Sequence, residues 1–107
     1  MVLYMYQVAF TSDAWATLAK NPQDRTEAAR TLFQGIGGKL ISYYFAFGDY
    51  DAVVLAELPD NGAAAAAAIA VAAGGAIKAV KTTPLFSAQE GVEAMRKAGQ
   101  VNYKPPS

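Results

Sequence analysis

The run VLYMYQVAF, Val2 to Phe10, restricts the possible folds more than any other stretch of the chain. It is rich in aromatic and β-branched residues and poor in turn formers, which suits a strand. A strand with one solvated face alternates apolar and polar side chains. Here both sets are apolar: Val2, Tyr4, Tyr6, Val8 and Phe10 on one side, Leu3, Met5 and Ala9 with a lone Gln7 on the other. Lys39 to Phe47 repeats this, with Ile41, Tyr43, Phe45 and Phe47 against Leu40, Tyr44 and Ala46. Both faces of the resulting sheet need cover.

The other segments decide where cover can come from. Thr11, Ser12 and Asp13 offer oxygens to cap a short helix carrying Trp15, Leu18 and Ala19, which ends at Asn21-Pro22. A second helix places Ala28, Leu32 and Ile36 on one stripe and stops at Gly37-Gly38. Lys39 to Phe47 and Asp51 to Leu58 read as strands joined by a short Gly48-Asp49-Tyr50 turn. Pro59-Asp60-Asn61-Gly62 caps an alanine-rich helix that stops at Gly74-Gly75. Ala76 to Thr83 reads as a fourth strand, and Pro84 either ends it or marks a sheet edge. Ser87-Ala88-Gln89-Glu90 has the capping-box pattern and opens a last helix.

This order predicts an α+β fold: the ferredoxin-like split βαβ sandwich, a four-stranded antiparallel sheet with helices on one face. Residues 1–98 form one domain, and 99–107 a flexible tail or an arm laid on a neighbour. With every helix on one side, the second apolar face is left bare. Stacking two such faces removes about 800 Å² from water, roughly 20 kcal/mol gross at about 25 cal/mol per Å². The association cost is about 4 to 15 kcal/mol. A homodimer packed sheet to sheet through the open face is therefore expected.

Composition excludes much of the common chemistry. With no cysteine and no histidine the chain lacks a disulfide, a thiolate, the usual metal ligand and the usual proton shuttle. No metal and no cofactor are expected. Nine Lys plus Arg balance nine Asp plus Glu, so neither nucleic acid nor an anionic membrane surface is an expected partner. Met1 to Phe10 has no basic leader, and the longest apolar stretch, Gly62 to Gly75, is too short to span a bilayer. A cytoplasmic location is the resulting expectation.

Several motifs in order carry a family resemblance: Tyr4 with Phe10-Thr11, Asp24-Arg25-Thr26-Glu27-Ala28-Ala29, Gly37-Gly38-Lys39, Tyr43-Tyr44, Gly48-Asp49-Tyr50-Asp51 and Glu57-Leu58-Pro59-Asp60. Together they resemble the GYD domain family over residues 3 to 86. The resemblance implies a dimeric α/β-barrel and no particular activity. The wider superfamily includes cofactor-free monooxygenases, lactone isomerases, haem peroxidases and effector-binding domains of transcription regulators. Pro84 and Leu85 depart from the threonine-rich end usual for the fourth strand in that family.

The candidate site residues each have a structural and a functional reading. Gly48-Asp49-Tyr50-Asp51 turns a hairpin, and can also place Tyr50 and a carboxylate at a pocket rim. Arg25 opposes the macrodipole early in a helix, so it pairs with Asp24, Glu27 or an anionic ligand group. Glu57 near the end of an apolar strand pairs with Lys78 or Lys81, or stays partly buried. Tyr4, Tyr6, Tyr43 and Tyr44 serve a core, an interface or a cavity for a planar ligand. The alanine helix either approaches the sheet closely or leaves space beneath it.

The resulting functional expectation is a small-molecule binding domain, with Tyr6, Arg25, Tyr44 and Tyr50 as ligand contacts. The alternative is a cofactor-independent monooxygenase or isomerase acting on a small aromatic or lactone. In that case Asp49, Asp51 or Glu57 serves as base, and Tyr50 or Arg25 steadies an oxyanion.

Overall fold

The computed structural model describes all 107 residues, Met1–Ser107. Eight elements follow one another as β1 (Val2–Phe10), α1 (Ser12–Lys20), α2 (Thr26–Gly35), β2 (Lys39–Phe45), β3 (Ala52–Leu58), α3 (Asn61–Ala73), β4 (Ile77–Leu85) and α4 (Ala88–Gly99). The four strands form one antiparallel sheet in the order β2-β3-β1-β4. This is the ferredoxin-like α+β arrangement, with β1 and β3 central. β4 is an edge strand, which is why Pro84 is tolerated inside it opposite Tyr4.

Local signals account for most boundaries. The Thr11 hydroxyl accepts from the Ala14 N–H at the start of α1, and the Asp60 carboxylate accepts from the Ala63 N–H at the start of α3. Ser87 and Glu90 form a complete capping box on α4. Gly37 ends α2 with φ at 80°, a conformation that a Cβ disfavours. Its neighbour Gly38 is small for a different reason: a Cβ there would lie 2.6 Å from the Glu57 carbonyl oxygen and from Leu58 Cδ2.

The even-numbered set of β1 faces the helices. Tyr4, Tyr6 and Val8 are buried with Ala52, Val54, Ala56 and Leu58 of β3 and with Phe33, Ala64 and Ala67 from above. α2 lies along β2, and α3 lies along β4 with a lighter contact to β3. The two helices thus straddle the centre of the sheet. Two tyrosine hydroxyls pin α3 from below: Tyr4 donates to Asn61 Oδ1 at 2.5 Å and Tyr6 to the Ala64 carbonyl at 2.8 Å.

The opposite face carries Leu3, Met5 and Gln7 of β1 beside Val53, Leu55 and Glu57 of β3, all partly exposed. No buried residue of any helix packs against it. α4 stands away from the body: apart from the half-buried Gly91, every residue from Ala88 to Ser107 is exposed. The radius of gyration is accordingly 17.1 Å, against about 13 Å for a compact chain of this length.

Three details differ from the sequence reading. The β2–β3 connection spans Ala46 to Asp51, not three residues; its ends are tied by the Ala46 N–H, which donates to the Asp51 carbonyl, and by the Asp51 N–H, which donates to the Val8 carbonyl of β1, each at 2.7 Å. β2 contains a register shift at Ile41, between Leu40 opposite Ala56 and Ser42 opposite Leu55. Beyond an extra residue the side chains exchange faces, so Leu40 and Tyr43 share the helix side although they are three apart. Finally, β4 pairs with β1, so Glu57 stands opposite Lys39 of β2 and has neither Lys78 nor Lys81 as a neighbour.

Candidate functional site

The small side chains of α3 leave space that the sheet does not fill. A cavity of about 500 Å³ lies between α2 and α3, over the centre of the sheet and bounded at one end by α1. Volumes of roughly 300–1,000 Å³ are usual for small-molecule sites. Ala67, Ala70 and Val71, spaced by one helical turn, form the α3 wall. Ala29, Leu32 and Phe33 form the α2 wall, while Tyr6, Val8 and Val54 form the floor. Phe33 packs on Tyr6 with ring centroids 5.5 Å apart, fixing the floor aromatic against α2. At the α1 end, Trp15 meets Phe10 edge-on at 5.2 Å.

Apart from the Tyr6 hydroxyl on the floor, which is bound to Ala64, the polar side chains of the lining are Thr17, Gln23, Arg25 and the Tyr43 phenol, toward the α1–α2 linker. Arg25 precedes the first helical residue of α2 and forms no ion pair. Asp24 instead accepts from the Thr26 N–H and hydroxyl, and Glu27 pairs with Arg30. The only protein partner of Arg25 is Gln23, whose Oε1 accepts from Nη1 at 3.2 Å. The remaining N–H groups of the guanidinium are free, because the fork has five donors.

Ionisation follows this layout. Burial, reinforced by Tyr4, pushes the Tyr6 phenol up to about 12. Burial also raises Tyr43, with Arg25 pulling the other way and Asp24 adding to the rise. Hydrogen bonds from Thr26 hold the Asp24 carboxyl below its ordinary range. Both cavity phenols are therefore neutral at pH 7. Tyr6 spends its proton on Ala64, whereas Tyr43 has no protein partner.

The predicted site residues fall in three places. Tyr6 and Arg25 lie on the cavity wall. Tyr44 stands opposite Val53 on the open sheet face and is 59% exposed. Asp49 and Tyr50 lie in the hairpin loop, and neither they nor Asp51 and Glu57 line the cavity. Asp51 is structural, since its Oδ2 accepts from the Phe10 N–H at 2.9 Å and locks the hairpin to β1. Gly48, with φ at 135°, makes the loop's bend. Gln23 and Thr17 carry no signal in the sequence, since a linker amide and a helix hydroxyl are ordinary surface residues. No carboxylate lines the cavity, and no cluster of carboxylates is arranged to hold a metal ion.

These elements define a ferredoxin-like α+β domain with a cavity under its helices and a bare opposite face. The chain belongs to the GYD domain family, whose model matches residues 4–95. Two solved structures share the fold. One is MtbAldR, 19% identical with a TM-score of 0.56, aligned over 80% of this chain and 52% of that one. The chain thus spans about half of that protein's length. The other is TTHA0845 from Thermus thermophilus, 16% identical with a TM-score of 0.55, over 82% of this chain and 96% of that one. Among curated proteins none matches the sequence. No helix is long and apolar enough to cross a membrane.

Proposed function

We propose that this protein binds a small, largely apolar molecule in the cavity between α2, α3 and the sheet. The observation that carries this reading is a cavity of about 500 Å³ whose walls are mostly alanine, aliphatic and aromatic side chains, with the polar groups that lack a strong protein partner near one end. The enzymatic alternative loses support at the same point. Proton abstraction needs a base within hydrogen-bond reach of the substrate, and Asp49, Asp51 and Glu57 all lie off the cavity wall. Native mass spectrometry of the gently purified protein tests binding, the expected result being a retained small-molecule mass. A crystal structure in which Tyr and Phe side chains close the space below the size of a ring would contradict it.

The working unit in this reading is a homodimer formed through the open sheet face. Its support is the apolar strip of Leu3, Met5, Val53 and Leu55, together with α4, whose Val92 and Met95 are exposed on one side. A second copy supplies cover for both. Sedimentation at micromolar concentration is expected to give the dimer mass, and Leu55→Lys a monomer.

A further inference from the structure

The bias of polar groups at the cavity mouth narrows the ligand's chemistry. Donors dominate: the free N–H groups of Arg25, the one Gln23 amide N–H not already given to the Asn21 carbonyl, and the Tyr43 hydroxyl. The one strong acceptor there, Gln23 Oε1, already receives Arg25. Arg25 is also the only charged residue on the wall. The nearest carboxylate in sequence, that of Asp24, is bound to Thr26, and that of Glu27 to Arg30. An unpaired guanidinium at the mouth of an apolar space is suited to a planar acceptor bearing one negative charge.

We infer that the cavity selects an amphipathic carboxylic acid, with its aliphatic or aromatic body against α3 and its carboxylate at Arg25 and Tyr43. This rests on the binding role proposed above and adds the ligand's charge to it. A neutral alcohol of the same length would fill the same space without using the guanidinium. An amine would meet a like charge.

The test compares decanoate, decanol and decylamine by titration calorimetry on the wild type and on Arg25→Gln, whose exposed position before α2 lets the fold persist, as circular dichroism would verify. Decanoate is expected to bind the wild type roughly tenfold tighter than decanol, the size of one charge-assisted contact at a partly solvated site. Arg25→Gln should bring decanoate down to the level of decanol and leave decanol unchanged, while Arg25→Lys recovers part of the difference. Equal binding of decanoate and decanol, tighter binding of decylamine, or decanoate affinity indifferent to Arg25→Gln would overturn the charge assignment and leave the cavity reading standing. Failure of all three probes to bind would overturn both.

Discussion

Helices α3 and α4 are near opposites. α4 is well specified locally, with a capping box, an acidic first turn, Arg96 and Lys97 in its last turn and a Glu93–Arg96 pair, yet it buries nothing. α3 has no charged side chain and no apolar stripe, since it is apolar all round, yet Ala64 and Ala67 are buried against the sheet. Capping and charge placement form a helix, and side-chain shape decides what it can touch. Alanine lets α3 approach the sheet at Ala64 and Ala67 and leaves the cavity further along at Ala70 and Val71. α4 leaves its apolar residues Val92 and Met95 exposed.

The contrast can be broken by truncating each side of it. Leu58→Ala, beneath α3 at a fully buried position, should lower unfolding free energy by about 3 kcal/mol in urea titration. A loss below about 1 kcal/mol would mean that the core under α3 is looser than described. High pH should loosen the same region. Tyr6 ionises at about 12 in the fold against about 10 unfolded, so its stabilising effect is complete below pH 10 and disappears as pH rises through 12. The expected decline is on the order of 1 to 2 kcal/mol, and Tyr6→Phe should flatten it.

Cap removal sharpens the comparison. Asp60→Ala at the start of α3 should cost about 1 kcal/mol of global stability, because α3 is coupled to the core. Ser87→Ala breaks an equally good cap, but in the monomer it should raise amide exchange within α4 and leave the global midpoint unchanged. Met95→Ala should be smaller still, under about 0.5 kcal/mol in the monomer, because Met95 is 71% exposed. A substantial loss in either α4 variant at dilution would mean that α4 packs on its own domain.

Much of this architecture is legible in the residues themselves. Thr11, Asp60 and Ser87-Glu90 mark helix starts because their side-chain oxygens meet free N–H groups, and Gly37 and Gly75 mark stops with φ at 80°. The two apolar sets of β1 are legible because strand alternation is strict wherever no residue is inserted. β2 shows the limit of that rule. The extra residue at Ile41 depends on pairing with β3, so nothing in KLISYYF announces it, and it decides that Tyr43 faces the cavity while Tyr44 faces outward. The ion pairs expected of Arg25 and Glu57 do not form, for a related reason. Strand order and the competition of Thr26 and Arg30 for nearby carboxylates are set by tertiary geometry, not by sequence spacing.

The claim that the space beside the alanine helix is a binding site is tested most directly by filling it. Ala70→Phe places a ring in the cavity from an exposed turn of α3, where the fold can accept it. Titrated with anilinonaphthalene sulfonate, an apolar anion whose fluorescence rises in dry surroundings, the wild type should saturate at one site. The variant, with an unchanged melting temperature, should bind at least about tenfold more weakly. Equal affinity in the two proteins would place the dye elsewhere and contradict the account.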